Sequence, residues 1–191
     1  MSNFPNKQFE GIVYTFEHLQ PAQLTVLLNA DGSATVPMQV TFGSHCFTED
    51  FDNEKHRPDH RYTYKGELRA FDTARYECSL HLPKVLQSLV KGTIYNAHES
   101  YTYAAHIALE SMNGPQSYSV FFSLEKDRRA ELPALRMFIK SAYLKPLVAK
   151  PNAQNWRFAS LAGQISGVFG PRPKKAKPEK KKAPQGLVSA S

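Results

Sequence analysis

The sequence predicts one α+β domain over residues 1–169, followed by a disordered Lys/Pro-rich tail at residues 170–191. Three observations predict the architecture of the domain. Apolar residues alternate on both sides of an Asp-Gly turn near the N-terminus, helical spacing runs from Asp72 to Gly92, and three more alternating stretches fill residues 100–143. We therefore expect an N-terminal β-hairpin, a helical segment and an antiparallel β-meander.

The hairpin is predicted over residues 22–42. Its two arms carry alternating apolar side chains: Leu24, Val26 and Leu28, then Val36, Met38, Val40 and Phe42. Residues 29–33 connect the arms, because their Asp-Gly pair tolerates the positive φ angles of tight hairpin turns. Alternation at Ile12, Tyr14 and Phe16 indicates a third short strand, and Pro37, which has no backbone N–H, favours an edge position for its strand.

The middle of the chain predicts a loop and then two helices. Alternation stops over residues 43–60, where acids and histidines accumulate, so we expect a long surface loop there. Asp72 is a candidate helix N-cap, and Gly92 marks the end of the helical spacing. Pro83 should divide this span in two, because its ring removes a backbone hydrogen bond and clashes with the preceding turn.

The strands of the meander are predicted near residues 100–109, 117–124 and 134–143. One parity of each strand is apolar and should face the helices: Tyr101, Tyr103, Ala105, Ile107 and Leu109, then Tyr118, Val120, Phe122 and Leu124, then Leu135, Met137 and Ile139. Residues 156–169 fit either a short strand or a helix.

The opposite parity mixes aromatic and basic residues: Phe121, Arg136, Phe138 and Lys140. Exposed aromatic rings stack on the bases of single-stranded nucleic acid while cations meet its phosphates, so this face is a candidate nucleic-acid surface. The alternative is that the N-terminal hairpin covers the two phenylalanines, with the aliphatic stems of Arg136 and Lys140 packed at its margin.

The predicted loop contains several potential metal ligands: His45, Cys46, Asp50, Asp52, Glu54, His56, Asp59 and His60. Zinc ligands usually occur as two pairs at intervals of two to four residues, whereas adjacent residues on an extended chain point apart. The spacing favours a solvated acidic loop, and we predict neither a metal nor a cofactor. The sequence also has no phosphate-binding glycine loop, Gly-x-Ser-x-Gly elbow or His-Glu-x-x-His helix.

Arg75 lies early in the predicted helix, and residues 141–143 end the last strand. Strand and helix ends are where a scaffold presents side chains to a cleft. The structural alternative is that Arg75 pairs with Glu77 or Asp72 on the surface. Ser141 and Tyr143 would then point inward with the buried residues of their strand, at the edge of the core.

Several short segments resemble a group of uncharacterised bacterial proteins. They are His-Cys-Phe-Thr at 45–48, Phe-Asp at 71–72, Arg-Tyr-Glu at 75–77, Leu-Pro at 82–83, Phe-Phe at 121–122 and Phe-Ile-Lys-Ser-Ala-Tyr at 138–143. The resemblance covers residues 35–145 and implies no particular activity.

A meander that follows helices and ends in Ser-Ala-Tyr is also similar to the ribonuclease-toxin superfamily of barnase, the colicin ribonucleases and the RelE toxins. This similarity implies metal-independent RNA cleavage, in which a base deprotonates the ribose 2′-hydroxyl and cations stabilise the crowded phosphate. In that mechanism His45 or His98 would transfer protons, Arg75 would stabilise the phosphorane, and Ser141 with Tyr143 would hold the phosphate. We therefore expect a toxin-type endoribonuclease with RNA as substrate and an antitoxin as partner; the competing hypothesis is a non-enzymatic nucleic-acid-binding or protein-interaction module.

The net charge of +7 is concentrated at the C-terminal end. Residues 171–191 hold seven bases and one acid, which leaves 17 bases and 16 acids in residues 1–170. The tail should therefore supply most of the attraction to polyanions. Its candidate nucleic-acid contacts are Lys174, Lys175, Lys180, Lys181 and Lys182.

The sequence predicts a cytoplasmic protein without a membrane segment. It has only two cysteines, no secretory leader pattern and no long apolar run.

Deletion of residues 171–191 should leave the thermal unfolding midpoint almost unchanged, because a segment this poor in apolar residues cannot contribute to a core. The same deletion should weaken binding to RNA or heparin and reduce its salt dependence. Thermal denaturation and a salt series of binding measurements check both. A large drop in the midpoint would contradict the prediction.

Overall fold

The computed structural model describes residues 4–97, 102–109, 116–144 and 154–170. The strands are β1 Lys7–Phe9, β2 Ile12–Tyr14, β3 Ala22–Leu27, β4 Thr35–His45, β5 Thr48–Asp50, β6 Arg61–Tyr64, β7 Glu67–Phe71, β8 Thr93–Asn96, β9 Thr102–Leu109, β10 Gln116–Lys126, β11 Leu135–Leu144 and β12 Asn155–Arg157. The helices are α1 Thr73–Ser79, α2 Leu82–Leu89 and α3 Phe158–Ser166, with 3-10 turns at Glu17–Leu19 and Pro58–His60. The predicted α+β class and element order are confirmed, and the predicted tail, apart from Gly170, lies outside the described residues.

The hairpin and the meander belong to one sheet. In the described part of the chain its order is β12-β8-β9-β10-β11-β4-β3. β3 and β4 form the predicted antiparallel hairpin, and β9, β10 and β11 form the predicted meander. The two are joined where β11 pairs with β4 in parallel, with Leu135 opposite Met38. This contact between distant segments produces a continuous main sheet.

The prediction that Pro37 marks an edge strand is wrong. Its strand, β4, lies between β11 and β3 in the main sheet. Pro37 pairs with Thr25 of β3, and the parallel register with β11 begins only at the next residue, Met38. The missing N–H therefore falls just before β4 gains its second neighbour, where it costs no ladder bond to β11.

The segment 43–60 is not the long surface loop that the sequence predicts. β4 continues to His45, β5 follows, and Cys46 and Phe47 are fully buried. The inward alternation of β4 does not stop at Phe42, but it continues through a polar residue, Ser44, which is only 5% exposed. β5 then joins β7 and β6 in a second sheet. Burial raises the pKa of the Cys46 thiol to about 12, so it stays protonated at neutral pH.

The other predicted elements near the N-terminus and in the helical region largely agree with the structure. The third short strand exists, but β2 pairs with β1 rather than with the hairpin. The Asp72 side chain accepts the backbone N–H of Arg75 at 2.9 Å, which confirms the N-cap of α1. Pro83 separates α1 from α2 by lying in the first turn of α2, where its missing N–H is tolerated.

Residues 156–169, which the sequence predicts as either a short strand or a helix, contain the end of a strand and a helix. β12 pairs with β8, and α3 starts directly after it and ends at Gly167, whose φ of 85° is left-handed. α3 packs on β10 and β11, while α2 packs on β9. None of the helices in the described part of the chain is long and apolar enough to span a lipid bilayer.

The predicted inward rows of the meander are confirmed where the structure describes their side chains. Ile107 is half-buried against the core, and these residues are buried: Tyr103, Ala105, Tyr118, Val120, Phe122, Leu124, Leu135, Met137 and Ile139. They form one apolar cluster with the inward side chains of β4 and with α2 and α3. α2 and α3 therefore cover one face of the main sheet.

Truncation of Phe122 and of Phe138 to alanine tests which face of the main sheet is buried and which is open. Phe122 is fully buried, whereas Phe138 on the opposite face is 41% exposed. We expect Phe122→Ala to lower the free energy of unfolding by about 3 to 5 kcal/mol and Phe138→Ala to cost less than half of that. Urea denaturation of both variants measures the difference. Equal losses would show that the two faces are assigned wrongly.

Candidate functional site

β11 reverses the direction of its side chains at Lys140. Ile139 before it and Ala142 after it are both buried, although they are three positions apart. The pairing with β10 passes from Ile139 directly to Ser141, which leaves Lys140 as the extra residue of a β-bulge. Ser141 and Tyr143 therefore face away from the core. The prediction that they lie on the buried parity is wrong, because alternation alone cannot reveal a bulge.

Gly43 of β4 lies against this bulge. A Cβ atom at Gly43 would lie 2.9 Å from the Lys140 carbonyl oxygen and 3.1 Å from Cζ of Phe138. The missing side chain thus allows β4 and β11 to approach and lets the Phe138 ring lie over the backbone. Past the bulge, His45 of β4 pairs with Ser141. Phe121 of β10 pairs with Ser141 from the other side.

A groove with two adjoining halves opens over this point. The aromatic half, of about 600 Å³, is lined by the rings of Phe42, Tyr64, Phe121 and Phe138 and also by the charged side chains Lys65, Glu67 and Lys140. The polar half, of about 500 Å³, is lined by His56 and by charged side chains: Glu49, Asp50, Asp52, Lys55, Arg69 and Arg75. His45, Ser141 and Tyr143 border both halves.

The structure therefore brings together most of the predicted catalytic set. His45, Arg75, Ser141 and Tyr143 all line the polar half of the groove. They come from β4, α1 and the end of β11, and the bulge places the β11 residues beside His45. His98, the other candidate proton carrier, lies outside the described residues.

His45 is held by a carboxylate. Its Nε2 lies 3.0 and 3.2 Å from the two carboxylate oxygens of Glu67 on β7. Nε2 must carry a proton to donate to that carboxylate, so a neutral His45 ring has its lone pair on Nδ1. The pair thus fixes which nitrogen can accept a proton.

Arg69 holds this carboxylate in turn. Its side chain is only 7% exposed, and its Nη1 donates to Asp50 at 2.6 Å and to the Glu67 oxygen at 3.3 Å. Its Nε donates to the Thr48 hydroxyl at 2.9 Å. Sequence reasoning missed Glu67 and Arg69, which are far from His45 along the chain. The sequence signal that could have indicated them is a strand with charged residues at two alternate positions. An ordinary surface strand shows the same pattern, so the signal is not specific to a site.

Arg75 is arranged differently. Its Nη1 donates to the Thr48 carbonyl oxygen at 2.8 Å, and its guanidinium carbon lies 5.0 Å from the centre of the Tyr143 ring. Asp72 binds the backbone N–H of Arg75, not its guanidinium. Among the described residues Arg75 forms no salt bridge, so the predicted surface pairing with Asp72 or Glu77 is wrong. Its guanidinium therefore has no carboxylate at ion-pair distance in the described part of the chain, although Glu49, Asp50 and Asp52 line the same half of the groove.

The acids at the outer end of the polar half have their own partners. Glu49 accepts from Lys55 Nζ at 2.7 Å and from His56 Nε2 at 2.8 Å. His56 Nδ1 accepts the backbone N–H of Asp52 at 3.0 Å, so both ring nitrogens have partners and the ring has a structural role. Hydrogen bonds with Lys55 and His56 outweigh the effect of burial and lower the pKa of Glu49. In the described ranges no three His, Cys, Asp or Glu side chains are grouped as metal ligands.

The predicted nucleic-acid face is open. Phe138 and Arg136 are exposed, and Phe121 and Lys140 are half-buried. The hairpin does not cover the phenylalanines, because β3 and β4 lie beside β11 within the same sheet. The Phe121 ring stacks on Tyr143 with centroids 5.5 Å apart. The tail lysines 174, 175 and 180–182 lie outside the described residues.

Gly43→Ala tests the close approach at the bulge. The added methyl group meets backbone at 2.9 Å, so we expect a loss of about 1 to 3 kcal/mol in the free energy of unfolding. Gly170→Ala is the matched control, since a Cβ there meets no atom within 4 Å. Urea denaturation compares the two. A neutral Gly43→Ala variant would show that β4 and β11 can separate freely.

Comparison with known proteins identifies a family. The sequence model of the YjaZ family matches residues 6–166, which include every described residue that lines the groove. The match confirms the resemblance to an uncharacterised protein group, and it carries no link to the ribonuclease-toxin superfamily. Neither the curated proteins nor the solved structures give a significant match. Because the family match covers most of the chain, the protein belongs to the YjaZ family.

Proposed function

We propose that this protein acts on RNA as a metal-independent endoribonuclease of toxin type, and that it cleaves single-stranded RNA in the groove. The observation that supports the proposal is the meeting of His45, Arg75, Ser141 and Tyr143 around one groove. A proton acceptor, an uncompensated cation and two hydroxyl groups are the elements that phosphodiester cleavage needs.

The aromatic half supplies a place for bases. Tyr143 and Phe121 are stacked, and the exposed ring of Phe138 lies on the same face. Stacking of a base on such a ring contributes about 1 to 3 kcal/mol and tolerates any sequence, because every base has a π face. Bases paired within a duplex cannot reach these rings. The arrangement therefore favours unpaired RNA.

The polar half supplies the chemistry. Nδ1 of His45 removes the proton of a ribose 2′-hydroxyl, and the 2′-oxygen forms a bond to the adjacent phosphorus. The bond from phosphorus to the 5′-oxygen breaks, and that oxygen takes a proton from a water molecule, which regains it from Nδ1 of His45. The products are a 2′,3′-cyclic phosphate and a 5′-hydroxyl, with no change in oxidation state and no cofactor.

The two arginines have different tasks in this proposal. Arg69 is buried and paired with carboxylates, so it orients Glu67 and, through it, His45. Arg75 forms no salt bridge in the described part of the chain, and its guanidinium lies over Tyr143. Charge that develops on the phosphorane is stabilised most by a cation that is already in place and not neutralised. Ser141 and Tyr143 hold the phosphate by hydrogen bonds.

The test uses purified full-length protein, a fluorescent single-stranded RNA and a chelator. We expect cleavage to products with 2′,3′-cyclic phosphate ends, and growth arrest when the protein is expressed. His45→Ala and Arg75→Ala should each lower the rate by about 100-fold or more, because they remove proton transfer and charge stabilisation. His81→Ala and Arg157→Ala are matched controls, since both residues are exposed and line neither half of the groove.

Circular dichroism of each variant separates a lost reaction from a lost fold. Intact RNA after incubation with folded wild-type protein, across structured and unstructured substrates, would remove the endoribonuclease. Equal activity of His45→Ala and His81→Ala would remove His45 from the mechanism.

A second candidate is a nucleic-acid-binding module without enzymatic activity. The specific observation in its favour is the continuous stack from the Arg75 guanidinium through Tyr143 to Phe121, which is a binding platform in itself. This candidate predicts affinity for single-stranded RNA without cleavage in the same assay. Phe138→Ala should then weaken binding, while His45→Ala should have little effect.

A further inference from the structure

The turn between β10 and β11 carries a group of bases outside the groove. We call it the hairpin cluster: Lys126, Arg128, Arg129 and Arg136. These side chains, with Glu125 and Asp127, surround a hollow of about 320 Å³. Four bases and two acids give this small surface a net positive charge, whereas the other described residues together are close to neutral.

The acids in the turn do not neutralise these bases by direct pairing. All four bases are exposed, and none forms a salt bridge within the described residues. One Asp127 oxygen accepts the backbone N–H of Arg129 at 3.0 Å, and the Asp127 N–H donates to the Ala134 carbonyl at 2.8 Å. Asp127 thus orders the turn. The guanidinium groups around it remain available to an anion.

The hairpin cluster is continuous with the groove along one strand. Arg136 and Phe138 project from the open face of β11, and beyond the bulge Ser141 and Tyr143 project from that same face. Arg136 and Ser141 are five residues apart, which corresponds to about 16 Å on an extended strand. A single row thus runs from an exposed base through an exposed ring to the groove.

We infer that the hairpin cluster is a second phosphate-binding site, which holds the flanking part of the same single strand that occupies the groove. Proteins that bind single strands commonly cover about 4 to 16 nucleotides, by alternating stacked bases with cations along the backbone. The row on β11 has this order. The inference rests on the proposed binding of RNA in the groove, and it makes the substrate a strand that extends several nucleotides beyond the reacting phosphate.

The experiment measures binding of 2′-O-methyl RNA, which lacks the reacting hydroxyl and stays intact. Full-length wild type and an R128A/R129A variant are titrated with labelled strands of 4 and 16 nucleotides at several salt concentrations. We expect at least a 5-fold loss of affinity for the 16-mer and no change for the 4-mer. The plot of log affinity against log salt should become shallower by about 1.4 for the 16-mer, at about 0.7 for each lost phosphate contact.

A K84A/K91A variant is the matched control, because it removes the same charge from exposed positions on and just after α2. An equal effect of the two double variants would overturn the inference, since it would reduce the hairpin cluster to general attraction. So would equal losses for both strand lengths, or an unchanged 16-mer affinity, which would assign the cluster to another partner such as an acidic protein. Lack of cleavage by wild type refutes only the endoribonuclease, because this binding assay involves no cleavage.

Discussion

The parallel contact of β4 with β11, and the bulge within it, determines what the open face of this domain can present. If strict alternation continued through Lys140 with no bulge, Ser141 and Tyr143 would continue the inward row of Ile139. Two polar side chains would then compete for space in an apolar layer, at a cost for each unpaired hydroxyl. The bulge instead turns the end of the strand outward beside His45. Gly43 makes this possible, because any side chain there would meet the displaced backbone.

A second constraint separates the two arginines at the groove. Arg69 has a side chain only 7% exposed, and loss of its carboxylate partners would leave a buried cation without compensation, which is destabilising. Its pairing with Glu67 therefore stabilises the fold and positions His45 at the same time. Arg75 is less buried and relies on a carbonyl oxygen and the Tyr143 ring, neither of which cancels its charge. Of the two arginines that line the groove, one is thus committed to structure and the other is open to a ligand.

The sequence predicts the elements of this fold better than their arrangement. Local patterns suffice for the hairpin, for the N-cap at Asp72 and for the buried rows of the meander, because each depends on neighbours within one segment. The parallel pairing of β4 with β11 depends on residues about a hundred positions apart, and no local pattern encodes it. The site follows the same rule. Arg75, Ser141 and Tyr143 are recognisable at element ends, whereas Glu67 becomes significant only when the second sheet brings it to His45.

The distribution of charge along the chain assigns long-range attraction of a polyanion and the positioning of a bound strand to different segments. By sequence, residues 1–170 hold 17 bases and 16 acids, so net charge alone gives the domain little attraction for a polyanion, while residues 171–191 hold seven bases and one acid. Charge in such a segment raises the rate of encounter without fixing register. On the proposed function, register comes from cations at fixed positions on the sheet, Arg75 at the groove and Arg136 near the hairpin end. On the same proposal the bulge acts on catalysis indirectly, since it sets the position of Tyr143, which would hold the strand, relative to His45.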